Sequence, residues 1–189
     1  DRCDWHISFR CRYRGRRWSA FGNSKHSWDK QNSIHWFDRK TNCTCGAAAY
    51  RSIVSSKEII SEKQAVDEVK TNKSGTSIKD VLNALKNRGF DANFVELNVD
   101  FLEYLKWLNY NSNKRLLYLS CTFYDLAGGT SGKGRNRIRH HAVTASNGFI
   151  FDPAEDKPKP IDCYIDILNK KIVLNGMILI DNEWYLVHN

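Results

Sequence analysis

His140-His141-Ala142-Val143-Thr144-Ala145-Ser146-Asn147-Gly148-Phe149-Ile150-Phe151-Asp152-Pro153 is the stretch from which the rest of the chain can be ordered. Two apolar runs flank Asn147-Gly148, the strongest short-range signal for a two-residue hairpin turn. Such a turn sets the register. Ser146 faces Phe149, so Val143 faces Asp152. Side chains alternate between the faces of a strand, so His141 shares the face of Val143 and lies diagonally across from Asp152. Diagonal neighbours are about 7–8 Å apart between backbones, a spacing at which a carboxylate can orient an imidazole. His140 points to the opposite face, so the period of two selects His141 as the candidate base.

Working back along the chain, Cys45-Gly46-Ala47-Ala48-Ala49-Tyr50 opens a segment of good helix formers, with Ile53 and Val54 completing an apolar stripe to about Ser56. Asn42 or Thr44 can cap its start. A thiol at a helix N-terminus meets the positive end of the dipole and unpaired N–H groups, which favour thiolate. The same N–H groups can hold a developing oxyanion. Gly46 leaves room for a substrate to approach. Cys43 is the alternative nucleophile if the helix begins two residues earlier. Cys45, His141 and Asp152 then form a nucleophile, a base and an orienting acid.

Other elements follow from periodicity and caps. A second helix is expected over 57–69. A third covers Ser77–Arg88, capped by Thr76 and stopped by Gly89. Phe94–Leu97 reads as a short strand, and Asp100 caps a further helix to about Asn109. Leu116–Cys121 is a buried strand, and 125–139, rich in Gly, Ser and Arg, is a basic loop. The stretch with Pro153, Pro158 and Pro160 reads as a loop. Ile172–Leu174, Met177–Ile180 and Trp184–Val187 read as closing strands. The front is mainly helical and the back mainly sheet. This is an α+β architecture with an N-terminal helical layer on a C-terminal antiparallel β-sheet.

Gly128-Gly129-Thr130-Ser131-Gly132-Lys133 resembles a phosphate loop, but only three residues separate Gly128 from Gly132, and Gly134 follows the lysine where a hydroxyl is required. Cys3-x-x-His6 with Cys11 has no second ligand pair at metal spacing. No metal or cofactor is called for.

The chain has 189 residues, 41% hydrophobic and 26% charged, which suits one folded domain with an appendage. No apolar run approaches the length of a membrane span, and no stretch reads as a signal peptide. The chain opens on Asp1, not Met, as a processed product or a domain delivered from a longer precursor would. Its net charge of +8 and pI near 9.2 make it a basic protein. Residues 1–40 carry ten Arg or Lys together with Trp5, Trp18, Trp28 and Trp36. They read as a basic, aromatic-rich N-terminal arm, either packing Trp on the core or meeting a nucleic acid or another acidic partner. Residues 41–189 read as the catalytic domain. Six cysteines at irregular spacing show no disulfide framework and fit a reducing, intracellular compartment. Cys121 and Cys163 sit among apolar residues as small core hydrophobes.

Cys45-Gly46-Ala47-Ala48, Gly75-Thr76-Ser77 opening a helix, His141-Ala142-Val143 and Phe151-Asp152-Pro153-Ala154 together resemble the papain-like cysteine peptidases. By pattern the double-glycine leader peptidases of bacteriocin exporters are closest, over about residues 42–155. The resemblance implies a papain-like fold and a thiol protease acting on a polypeptide substrate. Its catalytic triad would be Cys45 as nucleophile, His141 as base and Asp152 as orienting acid. Such families carry a glutamine about six residues before the cysteine as an oxyanion donor. That position here is Arg39, so Asn42 or Gln31 would have to supply the side chain. The Asn42-Cys43 pair with the His-to-Asp hairpin is also similar to leader proteases of the picornavirus type and to papain-fold toxin domains, some of them glutamine deamidases. A different class remains open beside these: a nucleic-acid-associated or structural protein on the same scaffold.

Overall fold

The computed structural model describes residues 34–41, 43–110, 115–125, 137–168 and 171–181. Of the expected elements, the arm over residues 1–33 with its nucleic-acid reading, most of the glycine-rich loop, and the Trp184–Val187 strand lie outside the described residues. Gln31 and Asn42 lie outside them too.

Three helices come first: α1 (Cys45–Val54), α2 (Glu62–Glu68) and α3 (Ile78–Asn87). They are followed by β1 (Asp91–Asp100), α4 (Phe101–Tyr110), β2 (Leu116–Asp125), β3 (Arg137–Ser146), β4 (Phe149–Phe151), β5 (Lys159–Pro160), α5 (Ile161–Ile167) and β6 (Lys171–Asp181). The strands form one six-stranded antiparallel sheet in the order β1-β6-β2-β3-β4-β5. No helix among the described residues is long and apolar enough to cross a membrane.

Local chemistry sets the boundaries. Helix α2 starts five residues later than expected because Ser61 caps it, its side chain accepting from the Gln64 amide at 3.1 Å. Ser77, not Thr76, caps α3 by accepting from the Asp80 amide at 3.1 Å. Thr76 instead bonds the Thr71 hydroxyl at 2.6 Å. Gly89 takes a φ of +82° just past α3, the left-handed conformation that ends a helix. Asp100 caps α4 as expected, accepting from the Glu103 amide at 3.0 Å. The expected strands 172–174 and 177–180 are one strand, β6, carrying an irregularity at Asn175 where its pairing with both β1 and β2 shifts. The basic loop is shorter than expected, since Arg137–Arg139 already pair with β2.

Alternation along the sheet sorts its residues into two cores. Leu116, Tyr118, Ala142, Phe149, Phe151 and Ile178 face one side and are covered by α1, α2 and α3. Leu117, Leu119, Cys121, Phe123, Val143, Ala145 and Ile150 face the other and are covered by α4 and α5. The N-terminal helices α1–α3 thus form the expected layer on one face of the sheet, and α4 and α5 cover the other face as well. Cys121 and Cys163 are buried, as expected of small core hydrophobes. Residues 34–40, the end of the expected arm, pack on the first core: Ile34 is buried within it and Trp36 lies against it.

Candidate active site

The hairpin adopts the expected register, with Ser146 opposite Phe149, Ala145 opposite Ile150 and Thr144 opposite Phe151. Asn147 and Gly148 both take positive φ, +48° and +82°, which a two-residue turn of this hand requires. Asp152 follows directly after β4, and its carboxylate reaches His141. The His141 Nε2–H donates to Asp152 Oδ1 at 2.6 Å, with both side chains buried. The Phe123 ring stands edge-on to the imidazole, centroids 5.7 Å apart.

Asp152 is held on every side. Its Oδ1 also accepts from the Ala154 amide at 2.8 Å, and its Oδ2 accepts from the Tyr164 hydroxyl at 2.7 Å. Its backbone is fastened by the 34–40 segment. Trp36 Nε1–H donates to the Asp152 carbonyl at 2.9 Å, and the Arg39 amide donates to the Pro153 carbonyl at 3.0 Å.

Helix α1 brings the thiol. Thr144 Oγ1 donates to the Ala49 carbonyl at 2.8 Å, which fixes how far α1 slides along β3. Cys45, the first residue of α1 and half-buried, then meets the other side of the His141 ring and the backbone amide of Ala142. Gly46 makes this approach possible: a Cβ there would lie 2.7 Å from Thr76 Cβ and 3.1 Å from the Tyr118 hydroxyl oxygen. Thr44 precedes the helix without capping it. Its hydroxyl closes the preceding turn instead, accepting from the Lys40 and Thr41 amides at 3.1 Å each and donating to the Thr41 carbonyl at 3.0 Å. No side-chain cap and no first-turn acid occupies the N-terminus of α1. Its leading N–H groups can therefore serve an anion.

The charges agree with this geometry. Burial pushes the Cys45 thiol up, but the His141 hydrogen bond, the His141 charge and the Ala142 amide outweigh it and hold the thiol below its ordinary value. Burial alone would lower His141. The Asp152 carboxylate and the Cys45 sulfur reverse this and raise it to about 10. Burial would raise Asp152, yet His141, the Ala154 amide and the Tyr164 hydroxyl together lower it. All three directions have one cause, the mutual contact of Cys45, His141 and Asp152, which favours the charged form of each.

Cys43 is placed differently. Its thiol donates to the Lys73 carbonyl at 3.1 Å, while the Cys45 thiol is the one that meets His141. His140 lies on the opposite sheet face and bonds the Thr122 hydroxyl through Nδ1 at 3.2 Å. Arg39, in the position where the resemblance expects glutamine, enters the site through its backbone.

Two residues of the site were not anticipated. Tyr164 lies on α5, in a stretch read as a proline-rich loop. Ile161, Tyr164, Ile165 and Leu168 at helical spacing directly after Pro160 are the signal that would have found it. Trp36 contacts Asp152 across 116 residues, and no local pattern announces such a contact.

No protein-family model matches the chain, and no curated protein matches it in sequence. Among solved structures, the chain is similar to a double-glycine motif protease from an AMS/PCAT transporter, in complex with the leader peptide. That match has 14% identity, covers 79% of this chain and 92% of the other, and has a TM-score of 0.49. It is also similar to the peptidase domain of Streptococcus ComA, a bi-functional ABC transporter of a quorum-sensing pathway, at 18% identity over 79% of this chain and 99% of the other, TM-score 0.48. A third match is the Streptococcus mutans ComA peptidase domain in complex with a small-molecule inhibitor, at 16% identity over 78% and 99%, TM-score 0.42.

Proposed function

We infer that the chain is a thiol-dependent hydrolase of the papain-like kind, cleaving peptide bonds through Cys45, His141 and Asp152. The observation that carries this reading is the imidazole of His141, bonded through Nε2 to Asp152 at 2.6 Å with the Cys45 thiol on its other side. A thiol lowered by a neighbouring imidazole at a helix N-terminus is suited to nucleophilic attack on an acyl carbon, that of a peptide bond included.

In this mechanism the Cys45 thiolate attacks the carbonyl carbon of the scissile bond. The oxygen takes up the negative charge and is held by the Cys45 backbone N–H at the start of α1, with Asn42 or Gln31 as the candidate side-chain donor. His141 gives its proton to the departing nitrogen as the C–N bond breaks, leaving a thioester on Cys45. It then takes a proton from the attacking water. The thioester C–S bond breaks, the acid leaves, and the thiolate and imidazolium return. Asp152 fixes the ring and balances its charge throughout.

Alkylation tests the assignment. Iodoacetamide at neutral pH should modify Cys45 well ahead of Cys43, Cys121 and Cys163, as read by peptide mass mapping. Cys45→Ala should abolish cleavage of a casein or peptide-library substrate, and Cys43→Ala should retain it. Uniform labelling, or cleavage surviving Cys45→Ala, refutes the reading.

A further inference from the structure

A small hollow, partly continuous with solvent, adjoins His141 and Asp152 on the face of the sheet covered by α4 and α5. Phe123, Ile167 and Leu168 give it apolar walls, and Glu155 stands at its edge. The thiol comes from elsewhere. Helix α1 packs on the opposite face, over Tyr118 and Ala142, and delivers Cys45 to the far side of the imidazole. The hollow and the nucleophile thus flank His141 from two sides.

This arrangement has a consequence for acyl transfer. The acyl half of a substrate stays on Cys45, while the leaving nitrogen collects its proton from His141. The chain attached to that nitrogen therefore leaves beside the imidazole, whose other flank adjoins the hollow. We propose that this hollow binds the residue immediately after the scissile bond and that its apolar walls favour an apolar side chain there. The proposal rests on the acyl-transfer reading given above. It also separates peptide cleavage from deamidation, since ammonia needs no such hollow.

The edge adds a second selection. Lys159 Nζ lies 3.2 Å from Glu155 and 2.8 Å from Asp156, one ammonium against two carboxylates. Glu155 itself lines the hollow, so an aspartate or glutamate there meets both an apolar wall and the like charge of that carboxylate.

Acyl partitioning tests this directly. N-acetylglycine 4-nitrophenyl ester acylates the thiol whatever amine follows, and nitrophenolate release reports that step. An added amino-acid amide then competes with water. Its nitrogen attacks the thioester carbon, the C–N bond forms as C–S breaks, and the amine proton passes to His141, restoring the ion pair. Products are counted by mass spectrometry. Leucinamide and phenylalaninamide should capture the acyl group about tenfold better than glycinamide, the discrimination expected of a few methylenes in an apolar pocket. Aspartic acid α-amide should capture less than glycinamide, and Glu155→Gln should lessen that deficit. Leu168→Ser, at a half-buried position, should cut the leucine preference severalfold, with capture of leucinamide taken as a ratio to glycinamide on the same variant. Equal capture of leucinamide and glycinamide, or a preference untouched by Leu168→Ser, overturns the proposal while leaving the nucleophile in place. Absence of Cys45-dependent ester turnover overturns both readings.

Discussion

The Tyr164 hydroxyl donates to Asp152 Oδ2 at 2.7 Å while His141 occupies Oδ1 of the same carboxylate. Helix α5 thereby supports the histidine through the acid, from the second core. Tyr164 is fully buried, and burial, followed by the charge of Asp152, holds its hydroxyl protonated well above the ordinary range, so it acts as a fixed donor. Tyr164→Phe removes one hydrogen bond to a charged group and should cost about 1.5–3 kcal/mol of stability. Deprived of that donor, the Asp152 pKa should rise. In urea unfolding, the destabilisation of Tyr164→Phe should be larger at pH 7 than at pH 3, and kcat should fall more than KM rises.

The pH profile follows from the three pKa directions. Under the proposed mechanism, cleavage needs thiolate on Cys45 and a proton on His141. Cleavage should fall on the acid side as Cys45 takes up a proton, at a pH below that of an ordinary thiol. It should fall on the alkaline side as His141 loses its proton near pH 10. Stability has its own dependence. Because the His141 pKa is raised from 6.5 to about 10, its contribution is complete below pH 6.5 and is lost as pH rises through about 10. Because the Asp152 pKa is lowered from 3.8, its contribution is present above that value and is lost as pH falls through the lowered one. Iodoacetamide rates from pH 4 to 10.5, and denaturation midpoints carried down to about pH 2, check both.

Asp152→Ala leaves an imidazolium without its buried partner. Breaking such a pair costs about 3–5 kcal/mol, and His141 should respond by shedding its proton at a much lower pH. The thiol then loses the cation beside it, so the acid limb of Cys45 alkylation should move to higher pH. Asp152→Asn keeps an acceptor for Nε2 but no charge, and should fall between the wild type and Asp152→Ala in stability. Urea titration and the alkylation profile of the two variants separate orientation from charge.

The hairpin was legible because its determinants are local. Asn147 and Gly148 accept positive φ, that turn sets the pairing of Ser146 with Phe149, and the faces of His141 and Asp152 follow. The start of α1 was legible because Cys45 opens an unbroken run of helix formers. What escaped depended on distant or two-sided contacts. Leu116–Phe123 is apolar at nearly every position, the mark of a strand buried on both faces. A single helical layer accounts for only Leu116 and Tyr118. Leu117, Leu119, Cys121 and Phe123 required the second layer that α4 and α5 provide. Helix α5 was hidden by the three prolines before it, although Pro160 in fact introduces it. In β6, Asn175-Gly176 looked like a break between strands because a strand irregularity and a turn favour the same residues.

Gly46 offers the most direct test of how α1 is seated. An alanine is the better helix former by about 1 kcal/mol, so the substitution should stabilise an isolated helix. Here its Cβ would stand 2.7 Å from Thr76 Cβ, with the Tyr118 hydroxyl oxygen at 3.1 Å. Both neighbours are constrained: Thr76 by its bond to Thr71, and Tyr118 by its fully buried place in the sheet. The helix must therefore move, and overpacking of this kind costs about 1–3 kcal/mol. The displacement falls one residue from the nucleophile, so alkylation of Cys45 should slow even where the variant is folded. Since the clash is with Thr76 Cβ itself, Thr76→Ala should give no relief, whereas Thr76→Gly should restore the labelling rate of Gly46→Ala. A double-mutant cycle on the Cys45 labelling rate measures this coupling. Additive effects of Gly46→Ala and Thr76→Gly would mean that α1 is not seated against the 75–77 turn.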